Sequence, residues 1–199
     1  MTDGPRKRHL LYDPNLRAHY KVAGDPDSPQ WLLAELASGE YSVRRIVAAN
    51  PRCPEEAMLR LAGDETGEVR ETAAANPSCP QWLLGQLAVG TDVDAKSGVA
   101  ANPSCPPLLL ARLANASGPL SWKVRCAAAK NPSTPADAVL LLAEDEDWRV
   151  RWEVANNPNC PPEALTILAE DDDVDLRAYA AGWNTRNTWM SRAAATRDL

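Results

Sequence analysis

Residues 50–62 read Asn-Pro-Arg-Cys-Pro-Glu-Glu-Ala-Met-Leu-Arg-Leu-Ala, and most of the chain is built from variants of this stretch. The opening Asn-Pro-x-Cys-Pro recurs, with serine or threonine replacing cysteine in two copies. The other copies begin at Asp25, Asn76, Asn102, Asn131 and Asn157. Successive copies lie 25, 26, 26, 29 and 26 residues apart, and a degenerate copy without prolines begins at Asn184. A period of this length indicates a repeat architecture.

Each copy opens the same apolar pattern. Counted from the second proline, positions +3, +4, +7 and +8 are apolar, as in Ala57, Met58, Leu61 and Ala62. This spacing places the four side chains on one face of a helix. Proline is compatible with the first helical turn, where its missing N–H would have no intrahelical partner. The sequence therefore predicts a helix after each corner.

A second, shorter pattern follows in each repeat. A small apolar residue precedes a basic one, and two more small apolar residues come three and four positions after it, as in Val43-Arg44 with Val47-Ala48. The pattern predicts a helix of about two turns, which either α or 3₁₀ geometry would suit. The next Asn-Pro should end it, because a residue before proline avoids the α region.

Neither helix can bury its apolar face alone, and stacking of neighbouring pairs solves this problem. The predicted fold is an all-α superhelical solenoid of about six repeats, with no sheet. We expect one repeat domain over 1–199: an N-terminal cap with a basic tail at 1–24, repeats at 25–182, and a C-terminal cap at 183–199. The spacing of 29 residues predicts a loop bulge near 116–119.

The repeat unit, Asn-Pro-x-Cys-Pro-x-x-Leu-Leu-x-x-Leu-Ala followed by Val-Arg-x-x-Val-Ala, resembles the leucine-rich repeat variant family. The resemblance covers roughly residues 18–182 and implies alternating α and 3₁₀ helices in a right-handed superhelix without strands. Some members carry an N-terminal iron–sulfur segment with clustered cysteines. No cysteine precedes Cys53 here, so we expect no cofactor. The pattern is also similar to HEAT-type repeats, whose members are mostly scaffolds.

Composition narrows the class of protein. Hydrophobic residues make up 45% of the chain, enough for a sizeable core. No apolar run approaches the length of a membrane span, and the polar, basic N-terminus lacks an apolar stretch of signal-peptide length. These features predict a cytoplasmic protein without membrane contact. Five cysteines in such a chain are expected to be reduced thiols.

Catalytic motifs are missing from the sequence. The two histidines, His9 and His19, both precede the repeats, so a histidine-based triad or metal site is not expected there. There is no Gly-rich phosphate loop. Residues 171–175 have the spacing Asp-x-Asp-x-Asp but lack the glycine and glutamate of a calcium loop. The sequence therefore predicts a protein that is not an enzyme.

Four cysteines recur just before a helix-opening proline, where two other copies have Ser28 and Thr134. These are Cys53, Cys79, Cys105 and Cys160. Exchange among small polar residues before a helix predicts an N-capping and packing role. The alternative is a metal or redox site. Helices stack about 8–10 Å apart and Zn–S bonds are about 2.3 Å, which argues against one shared metal.

Two polar columns recur once per repeat. The basic column consists of His19, Arg44, Arg70, Lys96, Arg125, Arg151 and Arg177. It is either a ladder that binds an acidic partner or phosphates, or a structural ladder that pairs with Asp64, Asp145 and Asp171 or with neighbouring carbonyls. Its presence in every repeat favours the structural role. The corner asparagines are expected to bond to adjacent loops.

Tryptophans distinguish the later repeats. Trp31 and Trp82 are equivalent and are expected to pack against the core. The segment 147–152 mixes aromatic rings with guanidinium groups, which are the usual anchors of binding surfaces, although packing of arginine stems on indoles is an alternative. The candidate partner-binding residues are Trp122, Trp148, Arg149, Arg151, Trp152, Arg125 and Arg177.

The function predicted from these features is a non-catalytic scaffold that binds a protein partner. Nucleic-acid binding along the basic ladder is the first alternative, and the net charge of −6 argues against it. A metal or redox protein using the repeat cysteines is the second. The basic stretch at 6–9 is expected to be a solubilising tail or a contact for an acidic surface.

Overall fold

The computed structural model describes residues 14–182, and within this range the chain is helical without strands. The first unit of the fold contains α1 (Pro14–Gly24), α2 (Gln30–Leu36), α3 (Tyr41–Ala49), α4 (Glu55–Ala62), α5 (Gly67–Ala75) and α6 (Gln81–Val89). Then follow α7 (Val93–Ala101), α8 (Pro107–Ala114), α9 (Trp122–Lys130), α10 (Ala136–Ala143), α11 (Trp148–Ala155) and α12 (Pro162–Leu168). Residues 174–182 are also helical. The all-α repeat architecture is confirmed, whereas the basic stretch at 6–9 and the predicted C-terminal cap lie outside the described residues.

The chain divides into two compact units, one up to Val99 and one from Ala100, and the boundary falls inside α7. Each unit has two layers. In the first unit, α2 packs on α4 in one layer, and α1, α3 and α5 pack side by side in the other. In the second unit, α8, α10 and α12 form one layer and α9 packs on α11 in the other. Alternate helices therefore stack as the repeat pattern predicts.

The core lies between the two layers of each unit. The residue at position +4 of the first helix is buried in every repeat: Leu33, Met58, Leu84, Leu110, Val139 and Leu165. Small side chains of the second helices close the core from the other side, among them Val43, Val47 and Ala48. Close packing of this kind explains why alanine and valine dominate the second helices.

The second helices are α-helical, which settles the geometry that the sequence left open. From Arg44 to Arg177, the backbone N–H of the basic-column residue donates four positions back, as Arg44 does to Glu40 at 2.9 Å and Arg151 to Asp147 at 3.3 Å. The alternation of α and 3₁₀ helices implied by the family resemblance is not found in residues 14–182. A buried face spaced by four residues, such as Val43 and Val47, fits 3.6 residues per turn better than 3.0.

Two further local features shape the repeats. The predicted loop bulge is present between α8 and α9, where Gly118 and Leu120 adopt positive φ of 102° and 60°. Gly98 is required by close packing, because a Cβ there would collide with the Glu71 carbonyl and lie 2.7 Å from the Ala74 Cβ. The backbones of α5 and α7 thus approach too closely for any side chain at this position.

Candidate partner-binding site

The corner asparagines hold successive repeats together. Asn157 is 1% exposed, and its side-chain N–H₂ donates to the carbonyls of Ala129 at 2.6 Å and Asn131 at 3.1 Å in the preceding repeat. Its side-chain oxygen accepts from the backbone N–H of Asn159 at 2.8 Å. Equivalent bonds are made by Asn50, Asn76 and Asn131. The predicted bonding of this column to adjacent loops is confirmed.

The cysteine column packs but does not cap. Pro54 occupies the N-cap position of α4, with no side-chain cap hydrogen bond, and the preceding Cys53 thiol lies 3.8 Å from the Pro54 carbonyl oxygen. Proline is tolerated at this position because the nitrogen of an N-cap residue has no intrahelical partner, and the Pro54 carbonyl accepts the helical hydrogen bond from Met58 at 2.9 Å. The predicted N-capping role is therefore wrong.

In the two copies without cysteine, the side chain at this position donates a hydrogen bond to a carbonyl earlier in the chain. The Ser28 hydroxyl donates to the Val22 carbonyl at 2.7 Å, and the Thr134 hydroxyl donates to the Ala128 carbonyl at 2.6 Å. Both carbonyls belong to the last turn of the preceding helix, where carbonyls lack intrahelical partners. In these two copies the hydroxyl therefore bonds to the end of one helix rather than to the start of the next.

The thiols are in their protonated form near neutral pH. Burial raises the pKa of each cysteine from its usual value near 9 to about 11. A thiolate is the form that binds metals and attacks electrophiles, so this environment works against the metal or redox alternative. Among residues 14–182, no three His, Cys, Asp or Glu side chains are grouped as metal ligands.

The basic column is a structural ladder. Arg125 donates from Nε and Nη2 to Asp145 of the next repeat at 2.6 and 3.0 Å, and from Nη1 to the Ala116 carbonyl of its own loop at 3.0 Å. Arg44 contacts Asp64 with the same distances, and Arg70 pairs with Asp92. Each loop aspartate also accepts a backbone N–H two residues on, as Asp145 does from Asp147. The structural interpretation of the ladder is thus confirmed for its arginines.

Because the arginines of the ladder are paired with carboxylates, they are poorly suited to bind a phosphate. The Asp171 hydrogen bonds from Arg151 hold the pKa of that carboxyl below its usual range, and the same bonds raise the pKa of the guanidinium. Arg125 and Asp145 are largely buried. The nucleic-acid alternative needs exposed, unpaired cations along this column, and the pairing weakens it.

Of the seven predicted binding residues, three belong to this ladder. Arg125, Arg151 and Arg177 bind loop aspartates or loop carbonyls, and Arg177 donates to the carbonyls of Asp171 and Asp172. The other four lie at the outer surface of α9 and α11. They are Trp148, which is exposed, and Trp122, Arg149 and Trp152, which are half-buried.

Trp122 and Arg149 form a closed pair. The Arg149 guanidinium carbon lies 3.6 Å from the centroid of the Trp122 ring, which is a cation–π contact. Arg149 also donates to both carboxylate oxygens of Asp147, at 2.9 and 2.7 Å. Asp147 is the N-cap of α11 and accepts the Arg149 backbone N–H at 3.0 Å. The indole face of Trp122 is therefore covered by the next repeat.

Trp148 occupies the same position one repeat later, but it is open. Its side chain is 57% exposed and lines a groove of about 380 Å³ together with Trp152, Asp173 and Asp175. The four-residue separation places both indoles on one face of α11. We refer to these four residues as the α11 groove.

The far wall of the α11 groove is fixed by a second aromatic contact. The rings of Trp152 and Tyr179 lie 5.4 Å apart and are inclined by 34°. The Tyr179 hydroxyl donates to the Asn156 side-chain oxygen at 3.0 Å. Tyr179, Asp173 and Asp175 were not among the predicted binding residues, although comparison of equivalent repeat positions in the sequence would have found the two aspartates.

Trp31 and Trp82 differ from expectation. They were predicted to pack against the core, but their side chains are 68% and 48% exposed. Position +2 lies just outside the buried stripe formed by +3, +4, +7 and +8, so the indole faces solvent. Trp82 donates from its indole N–H to Glu55 at 3.3 Å.

Stacked helix pairs, joined by buried asparagine corners and by an arginine–aspartate ladder, define a helical repeat protein. The family model described as leucine rich repeat variant matches residues 41–65, 122–147 and 148–173. The three matched segments each lie at one repeat position, in agreement with a helical repeat protein. Comparison with curated proteins and with solved structures finds no match. No helix within residues 14–182 is long and apolar enough to cross a membrane.

Proposed function

We propose that the protein is a non-catalytic scaffold that binds a protein partner, and that the α11 groove is its principal contact surface. The observation that carries the proposal is the exposed indole of Trp148 beside a groove with a second indole in its wall. Tryptophan is one of the residue types enriched among the hot spots that dominate protein interfaces. The recurring polar columns, by contrast, are occupied in building the repeat.

Rigid support favours this surface over other exposed apolar residues. The stack of Trp152 on Tyr179 and the capping bonds of Asp173 hold the walls of the groove in place. A preorganised surface loses less conformational entropy on binding than a mobile one. Trp31 is more exposed and is not part of the α11 groove, and so provides a matched control.

The test is affinity capture from a lysate of the native host. Immobilised wild-type protein, Trp148→Ala and the control Trp31→Ala would be compared by mass spectrometry of the retained proteins. Circular dichroism and thermal unfolding would establish that both variants keep the fold. We expect Trp148→Ala to lose partners that Trp31→Ala retains. Equal retention by both variants would assign partner binding to another surface and overturn the proposal.

A further inference from the structure

The repeat that contains Trp122 shows which side chain can cover a tryptophan at the position equivalent to Trp148. Trp122 begins α9, and its ring is covered by Arg149, the second residue of α11. Asp147 holds the Arg149 guanidinium in place. In the following repeat, Trp148 stands in place of Trp122 and Asp173 in place of Asp147. The position of Arg149 is taken by Asp175. Among residues 14–182, the same frame is therefore present without its cation.

The carboxylates around the empty position are available. Asp173 accepts the backbone N–H groups of Asp175 and Leu176 with Oδ1, at 2.9 and 3.0 Å. Its Oδ2 accepts no hydrogen bond from the described residues, and the Asp175 carboxylate has no ion-pair partner among them. Two carboxylates beside an exposed indole form a site with net negative charge and an aromatic face.

We propose that the α11 groove binds an arginine side chain from an extended segment of the partner, stacked on Trp148 and paired with Asp173 and Asp175. This inference rests on the proposed function and supplies the ligand chemistry for it. The incoming guanidinium takes the place that Arg149 takes over Trp122. A planar guanidinium satisfies both an indole face and carboxylate oxygens, which a lysine ammonium does less well. The partner segment is therefore basic and carries at least one exposed arginine.

The probe is a capped heptapeptide of glycine and serine with one central arginine, labelled for fluorescence anisotropy and titrated at low salt. Matched peptides carry lysine or the neutral isostere citrulline at the centre. We expect the citrulline peptide to bind at least about tenfold more weakly than the arginine peptide, because charge-assisted hydrogen bonds are lost. Lysine should be intermediate. Added salt should weaken binding of the arginine peptide, since the site is open to solvent.

Variants of the groove sharpen the test. Trp148→Ala should weaken arginine binding about tenfold or more, and Asp173→Asn should weaken it while keeping the cap, because asparagine caps a helix as well as aspartate. Asp175→Arg should abolish binding by filling the groove from within, as Arg149 does one repeat earlier. The controls Trp31→Ala and Glu56→Gln, an exposed indole and an exposed carboxylate elsewhere, should bind as the wild type does.

The outcomes are separable from those of partner capture. Equal binding of arginine and citrulline peptides, no binding at millimolar peptide, or full binding by Asp175→Arg would overturn the inference. If lysate capture still depended on Trp148, the proposed function would survive that result. Self-association of the wild type that Asp175→Arg abolishes, seen by sedimentation, would identify a second copy as the occupant and would also overturn the assignment to a partner protein.

Discussion

Arg151 donates to Asp171 from Nε at 2.6 Å and from Nη2 at 3.0 Å, and the same guanidinium donates to the Asp145 carbonyl at 2.8 Å. One side chain therefore joins the loops of two successive repeats. The Asp171 side chain is 6% exposed and that of Arg151 is 17% exposed, so the pair is only partly screened by solvent.

We predict that Asp171→Asn lowers the free energy of unfolding by about 2 kcal/mol, between the values typical of exposed and of buried ion pairs. The amide oxygen still accepts the Asp173 backbone N–H, so the change removes only the charge and the acceptor of the Arg151 Nε–H. Urea unfolding followed by circular dichroism measures the effect. Glu65→Gln is the control, because Glu65 is 84% exposed and lies 3.2 Å from Arg44. It should change stability by less than about 0.5 kcal/mol, and equal effects of the two changes would contradict the ladder's role.

Replacement of the corner asparagine Asn157 should lower the free energy of unfolding at least as much as Asp171→Asn does. Asn157→Ala removes two donors to buried carbonyls and one acceptor, and we expect a loss of about 2–4 kcal/mol, since buried polar groups are left without partners. Asn159→Ala removes one exposed hydrogen bond, to the Pro132 carbonyl at 2.9 Å, and should cost less than about 1 kcal/mol. Thermal unfolding of both variants measures the difference. A tolerated Asn157→Ala would show that water replaces the amide.

Two glycines in helices should respond in opposite directions to alanine. Gly98→Ala forces a Cβ against the α5 backbone and should destabilise the protein by about 2–3 kcal/mol. Gly85→Ala meets no atom within 4 Å and should stabilise it by about 0.5–1 kcal/mol, because alanine loses less backbone entropy in a helix. Chemical denaturation decides the signs. Similar effects at both positions would contradict the close approach at Gly98.

The thiols should be unreactive in the native state. With a pKa raised to about 11, the thiolate fraction at pH 8 is about 100-fold lower than for a thiol of pKa 9. Labelling by a thiol reagent should therefore be slow until denaturant is added. Rapid labelling of native protein would contradict the buried, protonated state of the column.

Ionisation of these thiols also sets a pH dependence. The native-state pKa lies above the unfolded value near 9, so their contribution to stability is complete below pH 9 and is lost as pH rises to about 11. The melting temperature should fall across that window. Replacing Cys79 and Cys105 with serine should flatten the fall, because a serine hydroxyl does not ionise there. An unchanged slope would assign the alkaline transition to other groups.

The fold could be predicted from the sequence because the residue type at each position of the repeat recurs in successive copies. The buried +4 residues, the stacking of helix pairs and the pairing of the ladder with Asp64, Asp145 and Asp171 all follow from columns that recur. The exact start of each first helix could not be predicted from the recurring columns. The N-cap shifted by one residue from Cys53 to Pro54, and such a shift depends on backbone angles rather than on residue type.

The binding surface was predictable only in part, for a related reason. The cluster of Trp122, Trp148 and Trp152 is visible in the sequence, but whether an indole is covered depends on a residue one repeat away. Arg149 covers Trp122, and the equivalent Asp175 is too short and of the wrong charge to cover Trp148. A difference between copies, rather than the shared pattern, therefore distinguishes a closed site from an open one.

The ladder has a consequence for how such a chain can change in length. Arg44, Arg70, Arg125 and Arg151 each bind a carbonyl of their own loop and the aspartate of the repeat that follows. Insertion or deletion of one complete repeat of this kind therefore leaves each of these arginines matched with an aspartate, whereas gain or loss of half a repeat strands a charge at the join. We expect evolution of this architecture to proceed by whole-unit duplication, with specificity arising afterwards in the copy where the covering side chain is lost.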